Sequence, residues 1–107
     1  KNNTIGYCGF VNISWINKCA EISFLLDHKL KDRKKNYKII MLRSFNKLFK
    51  IGFKKLKFKK LFTETFIFRK DHIKILIKAG MKKEGILKKQ YRKSNKFIDS
   101  ILHAKFG

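Results

Sequence analysis

The chain has 107 residues, the size of a single hydrophobic core, and its 44% hydrophobic and 14% aromatic content can fill one. Its 28 Lys and Arg against 7 Asp and Glu give a net charge of +21, a field that attracts nucleic acid, anionic lipid or phosphorylated small molecules. The apolar content excludes a disordered tail, two cysteines exclude a disulfide scaffold, and the longest charge-free run, Asn2 to Asn17, is too short and polar to span a bilayer. With no signal-peptide pattern, a reducing cytoplasm is the expected compartment. Only four of the basic residues are Arg, whereas sequence-specific nucleic-acid readers lean on the planar Arg fork. Lys, Ile, Phe and Asn abound and Pro is absent, a bias that A/T-rich codons would produce. The charge therefore reads first as a solvated Lys-rich surface.

In chain order, Gly6 to Trp15 is rich in β-formers and predicts a strand, Asn17-Lys18 a turn, and Ala20 to Leu26 a second strand, together a hairpin. Asp27 to Asn36 is polar and basic, without apolar period. From Tyr37 to Phe49 the residues Tyr37, Ile40, Met41, Ser44, Phe45, Leu48 and Phe49 repeat at helical spacing, with Gly52 as the expected C-cap. Leu61 to Phe68 (LFTETFIF) predicts a central strand. Asp71 to Ala79 predicts a short helix with Ile73, Leu76 and Ile77 on one side and Gly80 closing it. Glu84 to Tyr91 and Phe97 to Leu102 predict two strands around an Arg92–Lys96 turn. Hairpins at both ends of a mixed order predict an α+β layer fold rather than a doubly wound sheet.

Four words in this order carry a resemblance. They are "CAEISFLLD" in the second strand, "RKKNYK" (Arg33–Lys38) before the long helix, "KAGMKKEG" (Lys78–Gly85) ending the short helix, and "KFIDSIL" in the last strand. Their order and spacing resemble the GNAT superfamily of N-acetyltransferases. The nearest branches are the pseudaminic-acid-type amino-sugar-nucleotide acetyltransferases and those acting on ribosomal-protein N-termini. The resemblance implies one acyltransferase domain over residues 1–107, with a mostly antiparallel sheet splayed in its middle and a long and a short helix packed on it. Relative to that pattern the first strand and first helices are missing, and the chain opens on Lys1 rather than Met, so it reads as shortened at its N-terminus. It further implies that the strand ending near Leu26 splays from the one starting near Leu61, leaving a V-shaped slot.

The same resemblance implies acetyl-coenzyme A as acyl donor, a primary amine as acceptor, and no metal. The donor's pantetheine arm would add to the main chain of Phe24, Leu25 and Leu26. Its pyrophosphate would lie on a loop feeding a helix N-terminus, at Arg33, Lys34, Lys35, Asn36, Tyr37 and Lys38. Here Asn36 replaces a family glycine and Lys38 a residue that is usually tiny. Arg69 stands where many members carry an Asn that meets the cofactor, and could bind a phosphate instead.

Acetyl transfer needs a base for the amine and an acid for the departing thiolate. Glu64 alternates with Thr63 and Thr65 and shares its strand face with Phe62, Phe66 and Phe68. A carboxylate among aromatics has the raised pKa that suits a base; pairing with a nearby lysine is the plainer alternative. Many members place a Tyr on the short helix as acid; here that position is Leu76, and His72, one turn earlier on the same face, is the substitute candidate. Cys8 and Cys19 fit no zinc spacing and read as small core residues. The run Lys54–Lys60 could bind phosphates or be a solvated rim. Two readings stand at this point: an N-acetyltransferase, or a basic module that holds nucleic acid or another polyanion through phosphate contacts alone.

Overall fold

A computed structural model describes residues 6–26 and 34–107. Strands β1 (Gly6–Ser14) and β2 (Cys19–Leu26) form an antiparallel hairpin, helix α1 spans Lys34–Phe49, and a π-helical turn, Lys50–Lys55, prolongs it. Strand β3 (Lys60–Phe66), helix α2 (Lys70–Lys78) and the antiparallel pair β4 (Lys82–Lys93) and β5 (Lys96–Phe106) follow. The sheet order is β1-β2-β3-β5-β4, and only β2 and β3 run parallel. The expected α+β class, with a long and a short helix on a mostly antiparallel sheet, is what forms.

The sheet alternates cleanly at its centre. Ala20 and Ile22 of β2 and Leu61, Thr63 and Thr65 of β3 are buried on the helix-covered face. Glu21, Ser23, Phe62 and Glu64 therefore point to the opposite face. Helix α1 lays Tyr37, Met41, Phe45, Leu48 and Phe49 into the core, as its period predicts. The ring of Phe45 meets Phe24 of β2, with centroids 4.8 Å apart. Leu76 of α2 is fully buried in the same core.

Several boundaries differ from the sequence expectation. Helix α1 starts at Lys34, not Tyr37, so Lys34 to Lys38 occupy its first turn rather than a loop. Gly52 does not end the helix: it lies buried inside the π-helical turn, where Leu56 N–H donates to the Ile51 carbonyl. A Cβ on Gly52 would stand 2.8 Å from Leu61 Cδ1 and 3.3 Å from the Phe10 ring, so the glycine serves close packing rather than a left-handed turn. Since Leu61 is itself fully buried, Gly52→Ala has little room to relax. It is expected to cost about 1–3 kcal/mol, read as a lower denaturant midpoint in urea.

Helix α2 buries His72, Ile75 and Leu76, whereas Ile77 is exposed; its packed stripe is offset from the predicted Ile73, Leu76 and Ile77. Gly80 does close it, at φ 100°, with Met81 N–H on the Leu76 carbonyl and Gly80 N–H on that of Ile77. Strand β5 runs on to Phe106 because it pairs with the whole of β3 on its other side. Cys8 is exposed and Cys19 half-buried, and they lie opposite Phe24 and Ser14, so they are neither core residues nor neighbours.

Candidate functional site

The parallel pairing of β2 with β3 stops after three positions, Cys19 with Lys60, Ala20 with Leu61 and Glu21 with Phe62. Both strands continue, to Leu26 and Phe66, so beyond Glu21 and Phe62 they diverge and the expected slot opens. Among the described residues the edge of β2 that faces β3 has no strand partner from Ile22 onward, so over Ile22 to Leu26 the main-chain groups that point away from β1 meet no strand there. Phe24, half-buried, lines the slot.

Two hollows meet here. One, of about 510 Å3, lies between the start of α1 and α2 and is lined by Tyr37, Lys38, Phe68, Arg69, Lys70, Asp71, His72, Lys74, Ile75 and Lys78. The other, of about 210 Å3, is the slot itself, lined by Glu21, Ile22, Ser23, Phe24, Tyr37, Thr63, Glu64, Thr65, Arg69 and His72. They share Tyr37, Arg69 and His72. A largely cation-lined groove on the helix side thus adjoins a slot between the diverging strands whose lining includes two carboxylates.

At the junction the Tyr37 hydroxyl lies 3.1 Å from His72 Nδ1, and the Arg69 guanidinium donates to the same hydroxyl at 3.4 Å. Tyr37 and His72 are both buried. Burial raises the Tyr37 pKa above its ordinary value, and the charge and hydrogen bond of Arg69 oppose that rise. In the groove, Lys38 of α1 meets Lys78 of α2. The neighbouring Lys78 lowers the Lys38 pKa. Two ammonium groups held this close form a place where an anion would relieve repulsion.

Of the other residues singled out in the sequence, Lys34, Lys35 and Asn36 lie in the first turn of α1, whose N–H groups have no intrahelical acceptor. Arg33 lies outside the described residues. Glu64 is exposed rather than enclosed by aromatic rings, and its Oε2 accepts a hydrogen bond from Ser100 Oγ at 2.8 Å. The alternative of a Lys partner is not met either, for no ion pair forms at Glu64 among the described residues. Sequence reading passed over Glu21, Thr63, Lys74 and Lys78. The spacing of Lys70, Lys74 and Lys78 every fourth residue could have shown a basic stripe on α2, and the alternation of Glu21 with Ala20 and Ile22 its outward face.

No group of His, Cys, Asp and Glu among the described residues could hold a metal ion, and none of their helices is long and apolar enough to cross a membrane. Among curated proteins the sequence matches none. Solved structures match the fold at 15–16% identity. A crystal structure of a probable acetyltransferase covers 95% of this chain and 55% of its own, with TM-score 0.81. A spermidine N-acetyltransferase chimera from Vibrio cholerae and the human enzyme covers 97% and 62%, at 0.85 and 15% identity. A dodecameric spermidine N-acetyltransferase from Vibrio cholerae covers 97% and 58%, at 0.81 and 16% identity. The chain thus spans somewhat more than half the length of these proteins. The family model of the GNAT acetyltransferase domain matches residues 1–102, and the chain belongs to that family.

Proposed function

We propose that the chain transfers an acetyl group from acetyl-coenzyme A to a primary amine. The observation that carries this reading is the pair of adjoining cavities, basic where a phosphate-bearing donor would lie and carboxylate-lined where an amine would arrive. The donor fits the residues present. Lys38, Arg69, Lys70, Lys74 and Lys78 surround the groove with positive charge for its phosphates, the first turn of α1 at Lys34, Lys35 and Asn36 offers N–H donors, and Arg33 immediately precedes it. The open edge at Phe24, Leu25 and Leu26 suits an amide-bearing arm. The donor supplies an activated acyl carbon; the chain orients it and handles the protons.

On the acceptor side Glu64 takes the proton of the attacking amine, its carboxylate held by Ser100. On the donor side His72 acts through the Tyr37 hydroxyl, which lines the slot and carries its proton at neutral pH, to protonate the departing sulfur. The acceptor is an amino-sugar nucleotide or a protein N-terminus, as in the two branches the sequence resembles, or a polyamine, as the names of the structural relatives suggest.

Calorimetry with acetyl-coenzyme A tests the donor site. The native chain is expected to bind saturably and Lys38→Glu about tenfold more weakly, the loss of roughly one charge-assisted contact. Absence of binding at millimolar donor would overturn the reading. The rival, a polyanion-binding module, is favoured by the β4–β5 hairpin, where Lys88, Lys89, Arg92, Lys93 and Lys96 are all exposed and Lys89 lies over the exposed Phe97 ring. Salt-dependent, sequence-indifferent DNA binding with no affinity for acetyl-coenzyme A would decide for it.

A further inference from the structure

The structure assigns the acceptor side of the slot to an amine that carries a second positive charge a few bonds away, with Glu21 as the residue that selects it. The inference rests on the acetyl-transfer reading and specifies its acceptor.

With 28 cationic and 7 acidic side chains, the chain has cations enough to pair every carboxylate. Glu84 is paired with Lys60 at 2.7 Å and Asp99 with Lys88 at 3.9 Å. Glu21 and Glu64 have no ion pair among the described residues, and both line the same cavity. Each is fixed by a neutral donor instead: Asn12 Nδ2 donates to Glu21 Oε1 at 2.7 Å, and Ser100 Oγ to Glu64 Oε2 at 2.8 Å. These bonds orient the carboxylates and leave their charge uncompensated. A neutral group lines the cavity from the helix-covered face. Thr63 lines the cavity on the arm that carries Glu64, is 4% exposed, and its Oγ1 has no hydrogen-bond partner. The cavity thus holds two anionic acceptors on one face of the sheet and a neutral one on the other, and Arg69, from beyond the end of β3, is the arginine that lines it.

The spacing suits two charges rather than one. Glu21 sits at the vertex of the fork, opposite Phe62, and Glu64 lies two residues along the other arm. With neighbouring strands about 4.8 Å apart and a rise of about 3.3 Å per residue, their Cα atoms are on the order of 8 Å apart. That span matches a short diamine: one nitrogen at Glu64 and the slot, where it gives up its proton and attacks, the other held as ammonium at Glu21. The pyrophosphate of a nucleotide sugar would meet both carboxylates here and be repelled.

Three acceptors of one length separate the cases: 1,4-diaminobutane, butylamine and 4-aminobutanoate. The full chain is expected to acetylate the diamine with a kcat/KM at least about tenfold above butylamine, and 4-aminobutanoate least of all. Glu21→Gln keeps an oxygen for Asn12 and removes the charge. It is expected to bring the diamine-to-butylamine ratio towards one, and to weaken calorimetric binding of 1,4-diaminobutane, measured without donor, by about tenfold. Equal use of diamine and monoamine by the native chain, or an unchanged ratio in Glu21→Gln, would overturn the inference and leave acetyl transfer standing. Binding of acetyl-coenzyme A with no transfer to the diamine overturns it alone as well, whereas failure to bind acetyl-coenzyme A removes the underlying reading too.

Discussion

Tyr37→Phe is expected to lower kcat for acetyl transfer about 100-fold while leaving the dissociation constant of acetyl-coenzyme A within about twofold, the size and signature of a lost proton donor. The change deletes one oxygen and keeps the ring in the core. That oxygen is the group that joins His72, at 3.1 Å, and Arg69, at 3.4 Å, to the slot. The pH profile adds a second readout. Burial raises the Tyr37 pKa, so the neutral phenol persists past the ordinary tyrosine value of about 10, and the alkaline fall of kcat lies above that value. Arg69 works against this rise, and Lys38, Lys70, Lys74 and Lys78 around the groove add positive charge of the same sense, with Asp71 opposing them. In Tyr37→Phe that alkaline limb is lost. An unchanged kcat, or a loss confined to the KM of the donor, would leave Tyr37 as a packing or binding residue only.

Phe45→Ala carries the largest expected cost in stability, about 3–5 kcal/mol, a large share of the 5–15 kcal/mol typical of a domain. Phe45 is fully buried. Its ring meets Phe24 at 4.8 Å, Phe49 at 5.8 Å and His72 at 6.4 Å, so it joins β2, α1 and α2 beneath the slot. Removing it opens a cavity that three elements would have to close at once, and thermal denaturation should shift down by on the order of 15 °C. Phe45→Leu, which leaves a smaller void, should cost markedly less. If Phe45→Ala melts within a few degrees of the native chain, the core as described does not hold the slot together.

Much of this architecture is written locally. The helical period from Tyr37 to Phe49, the alternation through Thr63, Glu64 and Thr65, and the glycine at position 80 each reflect a short-range rule. What eluded the sequence depends on partners far along the chain. The burial of Gly52 is set by Leu61 and Phe10. The buried face of α2 is chosen by the core beneath it, and a helix of nine residues with apolar side chains at Ile73, Ile75, Leu76 and Ile77 offers more than one stripe. The meeting of Tyr37 with His72 spans 35 residues and no spacing rule reports it. The alternation of β3 puts Glu64 on the face opposite the helices, but its exposure turns on what covers that face.

The short junction of β2 with β3 has a mechanical corollary. Among the described residues three rungs, with the Lys59 and Lys60 N–H groups on the Lys18 carbonyl, join the β1–β2 hairpin to the three-stranded ribbon of β3, β5 and β4, so the sheet is two leaves joined along a short seam. Phe45 of α1 packs against Phe24 of the β2 arm, with the rest of the core cluster around it. Substitutions beneath the helix can therefore widen or narrow the aperture without altering any residue that a substrate touches.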